Sequence, residues 1–466
     1  MPYTFKKSKL ALNTAAAFVL MSSLGAQVTF AAHTYDEATK TDTYTNQLIS
    51  ESRGGDPNDI KGYNHADRKL VLIWDGNPDR KDGAAIRGAT VVADEITINT
   101  DFVKANAFSG KSIISSGNDV THITANKISV QSGDDAIYTE SNGTVTIDGF
   151  SELKVSSQSD IRWGGHGIVD NGTGITLIGK DDSTIEVNSR QNAMGNGYVS
   201  GPIGKGITAS AGKIILTSTG NALGATAVGK SPFVIDVNAK EVSLSGENHA
   251  AYAQYKGTIK INQKVKEGSL KAEGSFVASR DGSIEANLGG TGSYIKHGSD
   301  GLAVSAGQVS YAEDSAGKVT LNSTGSEHYI DGLLEAINEG STLTINSTGE
   351  NFKLSNTTPD ATYLAKARST IHLVAPMRPL QAISSRRLVA KRGSLCVAIT
   401  LTSQATFSRS GWTALAPLIH SKSVQRKITP RSRFVVGETT PPSRVTSPLK
   451  LANQRLKCSL SAITPL

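Results

Sequence analysis

The chain has 466 residues, of which 46 are glycine, 38% are hydrophobic and only 6% are aromatic. A compact globular domain of this length normally buries more large side chains, so the composition favours an extended repeat protein with a thin core. The net charge of +7 combines two unlike parts. Residues 33–365 carry 28 Lys and Arg against 40 Asp and Glu, whereas residues 366–466 carry 17 against one. The overall basicity is therefore no evidence for nucleic-acid binding, and we expect none.

Residues 1–32 have the pattern of a secretory signal peptide. Three lysines precede an apolar stretch over residues 10–20, and small residues then lead to Ala31 and Ala32. The alternative is an N-terminal membrane anchor, but the apolar stretch is short for a membrane span. We therefore predict export, with cleavage after Ala31 or Ala32.

Residues 33–374 consist of short alternating segments bounded by glycine. The segments at 212–220, 317–325 and 340–349 nearly repeat one another, as in Gly340-Ser-Thr-Leu-Thr-Ile-Asn-Ser-Thr-Gly349. Period-two alternation puts Val, Ile and Leu on one side of each strand, and glycine allows tight corners. We assign structural turns to Gly143, Gly212, Gly257, Gly282, Gly307 and Gly340.

Such segments are too small to be stable singly, so they must stack on one another. The sequence predicts an all-β solenoid with coils of about 25 residues, in which stacked Asn and Thr form ladders of hydrogen bonds. The alternative is an antiparallel β-sandwich, or a tandem set of them. Both cysteines, Cys396 and Cys458, lie outside this region, which excludes a disulfide framework or a cysteine metal site within it.

The signal peptide, the cysteine-free acidic body and these repeats together resemble the passenger region of bacterial autotransporters, over about residues 1–374. The resemblance implies a right-handed parallel β-helix displayed on a Gram-negative cell surface, often for adhesion to host or bacterial surface molecules, either protein or glycan. It also implies a C-terminal outer-membrane β-barrel. The sequence departs from the family there, because it ends in Thr464-Pro465-Leu466 without recognisable barrel strands. We expect a surface or extracellular location for an intact family member, and a periplasmic one if the barrel is truly missing.

Residues 375–466 form a basic tail rich in Pro, Arg and Ser, with eight of the 14 prolines. We predict that this tail is disordered or translated out of frame, in which case the chain is a truncated remnant. Resequencing codons 366–376 tests the second possibility, and an intact frame refutes it. The alternative is a disordered basic arm that binds anionic polymers.

One constellation of residues suggests chemistry. Asn99-Thr100-Asp101, Asp134-Asp135 and Gly165-His166-Gly167 resemble motifs of the polygalacturonases, which are β-helical hydrolases. The resemblance implies that Asp101, Asp134 and Asp135 act as general acid and base at a glycosidic bond, with His166 nearby. However, the separations between these three motifs look long for neighbouring coils, and no Arg-x-Lys motif follows.

We therefore predict that the chain is not an enzyme and keep a polysaccharide-cleaving glycosidase as the alternative. The nine histidines are scattered, so we expect no metal site, and no cofactor motif is present. Trp74, Trp163 and Tyr252 could form platforms for sugar stacking, or could equally pack at corners of the fold.

Overall fold

The computed structural model describes residues 32–51, 59–74, 84–100, 111–157, 164–196, 205–227, 232–307, 316–336 and 340–355, together with the backbone of short strands between residues 365 and 455. These residues form strands and turns and contain no helix. The first strands are β1 (Ala32–Asp36), β2 (Thr41–Thr45), β3 (Ile49–Ser50), β4 (Tyr63–Ile73), β5 (Ile86–Arg87), β6 (Thr90–Thr100), β7 (Ile113–Ser115), β8 (Val120–Ser132), β9 (Ile137–Glu140), β10 (Thr144–Ser157), β11 (Ile168–Asn171), β12 (Ile175–Ser189), β13 (Met194–Gly195), β14 (Gly206–Ser218), β15 (Asn221–Thr226) and β16 (Val234–Gln254).

The remaining strands are shorter. They are β17 (Thr258–Ile261), β18 (Ser269–Ala278), β19 (Ser283–Leu288), β20 (Tyr294–Lys296), β21 (Leu302–Ala306), β22 (Lys318–Ser323), β23 (Tyr329–Asp331), β24 (Leu333–Ala336), β25 (Thr342–Ser347), β26 (Lys353–Ser355), β27 (Ala365–Lys366), β28 (Thr370–Pro376), β29 (Ala390–Lys391), β30 (Cys396–Thr402), β31 (Val435–Glu438), β32 (Lys450–Leu451) and β33 (Gln454–Arg455).

Successive strands wind into a parallel β-solenoid with three faces. In one coil, residues 144–148 of β10 form face A, residues 152–157 of β10 form face B, and β11 forms face C. Each face is a ladder of parallel pairs between neighbouring coils, such as β8–β10–β12 on faces A and B and β9–β11–β13 on face C. This pairing confirms the predicted solenoid and excludes the antiparallel sandwich for the described strands. Its handedness stays a prediction.

The core is a set of aliphatic columns running along the rod. Alternation along each strand turns every second side chain inward, where it stacks on its equivalents in the adjacent coils. Burial of each Val, Leu, Ile, Phe or Met side chain among them contributes roughly 1.5–3 kcal/mol. On face A the column contains Ile123, Ile147, Leu177, Ala209, Val237, Ile261, Ala286, Leu321 and Ile345. On face C it contains Ile49, Ile86, Ile113, Ile137, Ile168, Met194, Leu223, Ala251, Phe276, Val304 and Leu334.

Coil length varies along the rod. On face A, Asn322 and Asn346 are paired in neighbouring coils at a separation of 24 residues. The pair formed by Asn287 and Asn322 in the preceding step has a separation of 35 residues. The shortest coils agree with the predicted length of about 25 residues. The longer ones carry extra residues at the two corners that flank face C, as in the segment between Thr100 and Ile113.

Face C differs from faces A and B in the burial of its outer side chains. On faces A and B the outward residues are mostly half-buried or exposed. On face C, Tyr138, Val169, Val277, Ser305 and Glu335 occupy outward positions and are all buried. Among the described residues, face C therefore exposes less side-chain surface than faces A and B.

The assigned glycines lie at corners of the coils, for two different physical reasons. Gly143, Gly257, Gly282, Gly307 and Gly340 lie between faces C and A, and Gly212 lies between faces A and B. Gly340 has a φ of 86°, a value that disfavours other residues. Gly257 does not have a positive φ, but a Cβ there would overlap the carbonyl oxygen of Ala225 in the preceding coil. Close approach between coils therefore explains this glycine, rather than a left-handed backbone.

The N-terminal end of the solenoid is closed by an antiparallel strand, which the sequence analysis did not predict. β1 pairs with β2 in antiparallel fashion. The Asp42 carboxylate, 2% exposed, holds the hairpin in place. It accepts hydrogen bonds from the Tyr63 hydroxyl at 2.7 Å and from Arg68 at 3.2 Å, and lies 2.9 Å from the His33 imidazole. Burial alone would raise the pKa of Asp42, but these three partners together hold it below its usual range.

Backbone pairing of face A continues beyond residue 355. β25 pairs in parallel with β28, β28 with β30, and β30 with β31. A further parallel pair joins β27 to β29, and β32 and β33 form an antiparallel pair. Residues 1–31 of the predicted signal peptide (1–32) and most of the basic tail lie outside the described residues, so the boundaries at 32 and 374 stay predictions.

Candidate functional site

A line of polar side chains runs along the corner between faces B and C. In successive coils, the residue two positions before the first inward residue of face C is polar. We call this line the corner column; it contains Lys111, Asp135, His166, Asn192, Asn221 and His249. Six successive coils therefore each place a polar group at the same corner, beside the aliphatic columns of the core.

The corner column brings together two of the residues singled out for hydrolytic chemistry. The Asp135 Oδ1 atom lies 2.8 Å from His166 Nδ1 and accepts a hydrogen bond of 3.1 Å from the His166 backbone N–H. Asp135 and His166 are 31 residues apart and lie in adjacent coils, so the expectation that this spacing is too long was wrong. Corner insertions lengthen the coil without changing the strand register. Asp134 adjoins the pair, and Asp101 lies outside the described residues.

Burial and charge act oppositely on the two carboxyl groups. Burial, and then the charge of Asp135, raise the pKa of Asp134. Burial also disfavours the charged form of Asp135, but the His166 interaction and the charge of Lys111 outweigh it, so the pKa of Asp135 is lowered. Such divergence is typical of acid–base pairs, although buried ion-pair networks also produce it.

The geometry of the cluster accounts for a structural role. Asp134 and Asp135 are 7% and 6% exposed, and His166 is 6% exposed. A glycosidase needs two carboxyl groups on either side of a bound sugar, whereas here one Asp135 oxygen already accepts both His166 bonds. The Lys111 ammonium lies 3.3 Å from the centre of the Tyr138 ring. The cluster therefore joins three consecutive coils through the buried Asp135–His166 hydrogen bonds and a cation–π contact.

The rest of the corner column is also engaged within the fold. The Asn221 side-chain amide donates to Asn192 Oδ1 at 3.0 Å. His249 Nδ1 lies 2.8 Å from Ser275 Oγ, and its ring stacks on Tyr252 with 5.0 Å between centroids. Burial lowers the pKa of His249 to about 4. Tyr252, one of the three aromatic candidates for sugar stacking, thus packs against a half-buried histidine.

A fully buried carboxylate, which the sequence analysis missed, ties coils together at the opposite corner. Asp170 accepts hydrogen bonds from the Thr139 hydroxyl and from the backbone N–H groups of Gly172, Gly174 and Gly206. These donors belong to three successive coils. The sequence marks Asp170 only by the Asp170-Asn-Gly172 turn. Similar turns are common in a glycine-rich chain, so this pattern did not single out Asp170.

The outer surfaces of faces A and B carry repeating polar columns. On face A, Asn322 donates to Asn287 Oδ1 at 3.0 Å, and Asn346 donates to Asn322 Oδ1 at 2.9 Å. These bonds confirm the asparagine part of the predicted Asn and Thr ladders. On face B, Lys69, Glu95, Lys127, Glu152, Thr184, Lys213 and Glu241 stand in one column. The Lys69 and Lys213 ammonium groups lie 2.8 and 3.1 Å from the carboxylates of their neighbours in this column.

Of the two remaining aromatic candidates, Trp74 and Trp163, the structure describes only the first. Trp74 is 3% exposed and therefore not available as a surface platform, whereas Trp163 lies outside the described residues.

Within the described ranges, no three His, Cys, Asp or Glu side chains are grouped as a metal site requires. The same ranges contain no helix with the length and apolarity of a membrane span.

Comparison with known proteins adds no family assignment. No protein family, curated protein or solved structure matches the chain. The assignment of function therefore depends on the fold and on the residues described above.

Proposed function

We propose that the chain is a secreted, rod-like passenger of the autotransporter type, which presents its outer faces to host or bacterial cell surfaces for adhesion. The observation that carries this proposal is the continuous register of faces A and B. Equivalent outward residues recur at about 4.8 Å in successive coils. The resulting surface is long, flat and repetitive, which suits many weak contacts with a repetitive partner better than one deep pocket.

Two further features support the proposal. The leader-like pattern of residues 1–32 is typical of exported proteins. The polar groups buried at the corners, such as Asp170 and the Asp135–His166 pair, have partners inside the fold. They stabilise the stacking of coils and leave the outer faces as the surface available to a partner.

The first test combines export with binding. The full-length gene is expressed in a Gram-negative host, and mass spectrometry should find a mature N-terminus at Ala32 or His33. The purified protein, fluorescently labelled, should bind epithelial or bacterial cells saturably. An Ile214→Asp variant, which places a charge in the core, should lose this binding. An unprocessed cytoplasmic product that binds no cells would contradict the proposal.

A polysaccharide hydrolase is the second candidate, because Asp135 and His166 do meet at one corner. Release of reducing ends from polygalacturonate by the purified protein, abolished in both Asp134→Asn and Asp135→Asn variants, would establish it. We expect no release, since the carboxylates are buried and one of them is paired.

A further inference from the structure

Two tyrosines stack on the outer surface of face B near the C-terminal end of the described solenoid. Tyr294 in β20 and Tyr329 in β23 pair in register, with ring centroids 5.1 Å apart and ring planes at 15°. Ile295 and Ile330, the next residues along each strand, are buried in the core. Alternation therefore places both tyrosines on the outside, where they are half-buried by their neighbours.

This position is not aromatic in the preceding coils. The column that leads to Tyr294 contains Thr97, Ser129, Lys154, Glu186, Ile215, Ser243 and Lys271. The fold thus accepts small, charged or aliphatic residues there. Formation of the coil does not require an aromatic side chain at this point, so the pair of tyrosines calls for a reason beyond the fold.

Charged groups of both signs surround the tyrosines. Lys271 precedes Tyr294 in the column and Lys353 follows Tyr329. In the next outward column, the Lys296 ammonium lies 3.1 Å from the Glu273 carboxylate and 4.7 Å from the centre of the Tyr294 ring. We call this surface the tyrosine patch; it contains Lys271, Glu273, Tyr294, Lys296, Tyr329, Asp331 and Lys353.

The chemistry of the tyrosine patch limits what it can bind. Three ammonium groups stand against two carboxylates, so the patch has too little net charge to attract a polyanion strongly. The apolar area is confined to two rings, which is small for the core of a stable protein interface. What remains is a flat strip with aromatic carbon at its centre and hydrogen-bond donors and acceptors on both sides. Tyrosine supplies such amphipathic contact at a low cost in side-chain entropy.

We propose that the tyrosine patch binds a neutral, hydroxyl-rich glycan chain lying along the rod axis. The inference rests on the proposed adhesive function and names the ligand class for it. The patch extends over four coils, or roughly 14 Å at the strand spacing, which accommodates a short oligosaccharide. Because the two rings stack on each other, sugar C–H groups contact their outer edges, and sugar hydroxyls exchange hydrogen bonds with Glu273, Lys296 and Asp331.

The test measures binding of the purified full chain to immobilised mannan, dextran and galactan. Heparin and polygalacturonate serve as anionic comparisons. At least one neutral polysaccharide should bind, and the double variant Tyr294→Ala/Tyr329→Ala should weaken that binding by at least tenfold. Replacement of both tyrosines by Phe keeps the rings and should retain most of it. The matched control is Thr320→Ala/Thr344→Ala, which alters paired outward residues of face A and should change nothing.

Far-UV circular dichroism and the melting temperature establish that the variants fold. Unchanged binding by the Ala double variant overturns the inference, and so does binding to the anionic polymers alone. Binding to cells is measured in parallel, before and after periodate oxidation of cell-surface glycans. Cell binding that resists periodate overturns the glycan inference but leaves the adhesive function standing. Absence of any cell binding contradicts the adhesive function instead.

Discussion

Glu335 provides a quantitative test of the burial of face C. Its side chain occupies an outward position on β24 but is only 8% exposed. Burial, and then the nearby charge of Asp300, raise the pKa of Glu335 to about 7, against an ordinary value of 4.5. A difference of this size corresponds to about 3 kcal/mol between the protonated and ionised forms in the folded state.

The sign follows from proton binding. Between pH 4.5 and 7 the folded chain holds a proton on Glu335 that the unfolded chain has released, so the free energy of unfolding falls as the pH rises. Below pH 4.5 Glu335 is protonated in both states, so the free energy of unfolding is not reduced. Above pH 7 Glu335 is ionised in both states, and the free energy of unfolding is reduced by the full amount. A Glu335→Gln variant, which is neutral at every pH, should therefore be more stable than the parent by up to about 3 kcal/mol at pH 8 and nearly equal to it at pH 4.

Urea unfolding followed by circular dichroism at pH 4, 6 and 8 measures this difference. Glu285→Gln is the control, because Glu285 is exposed on face A and its replacement should change stability little at any pH. If Glu335→Gln had the same effect at pH 4 as at pH 8, or none at all, a buried ionisable Glu335 would be refuted.

Variants at three further sites, and one control variant at Gly117, test other parts of the fold. Gly206→Ala should destabilise the chain by about 3 kcal/mol in urea unfolding, because φ is 128° there and the new Cβ overlaps the Val234 carbonyl group. Gly117→Ala, where φ is 64° and the space is open, should cost only about 1 kcal/mol. Asn322→Ala removes one donated and one accepted bond of the asparagine ladder and should lower the unfolding free energy by roughly 1–3 kcal/mol; no loss would mean that the ladder contributes nothing. The pKa of His249 is lowered from 6.5 to about 4, so its contribution to stability should fall as the pH drops through that range. His249→Asn should remove this fall, by as much as about 3 kcal/mol in urea unfolding at pH 4 relative to pH 7.

The sequence predicts the strands well but not the face on which each one lies. The segments at 212–220, 317–325 and 340–349 nearly repeat one another, yet the first contributes to face B and the other two to face A. All faces turn alternate aliphatic residues towards the same core, so the same pattern suits any of them. Only the register between coils assigns a segment to its face.

The contacts at the corners could be predicted only in part. Asp134, Asp135 and His166 stood out by residue type, but the variable coil length conceals which of them are neighbours. Lys111, which completes the cluster, carries no signal of its own until the register is known. The hairpin formed by β1 was missed because it reverses the chain direction once, at the end of a parallel array.

The pairing scheme also has a consequence for how the chain acquires its shape. Within the described solenoid, most parallel strands hydrogen-bond to strands of the coils directly before and after them, and the exceptions, such as β3 and β26, pair with one neighbouring coil only. A newly delivered coil therefore needs only its predecessor as a template, and the whole polypeptide need not be present at once. Folding can therefore propagate coil by coil along the rod, and each added coil buries the exposed edge of the coil before it.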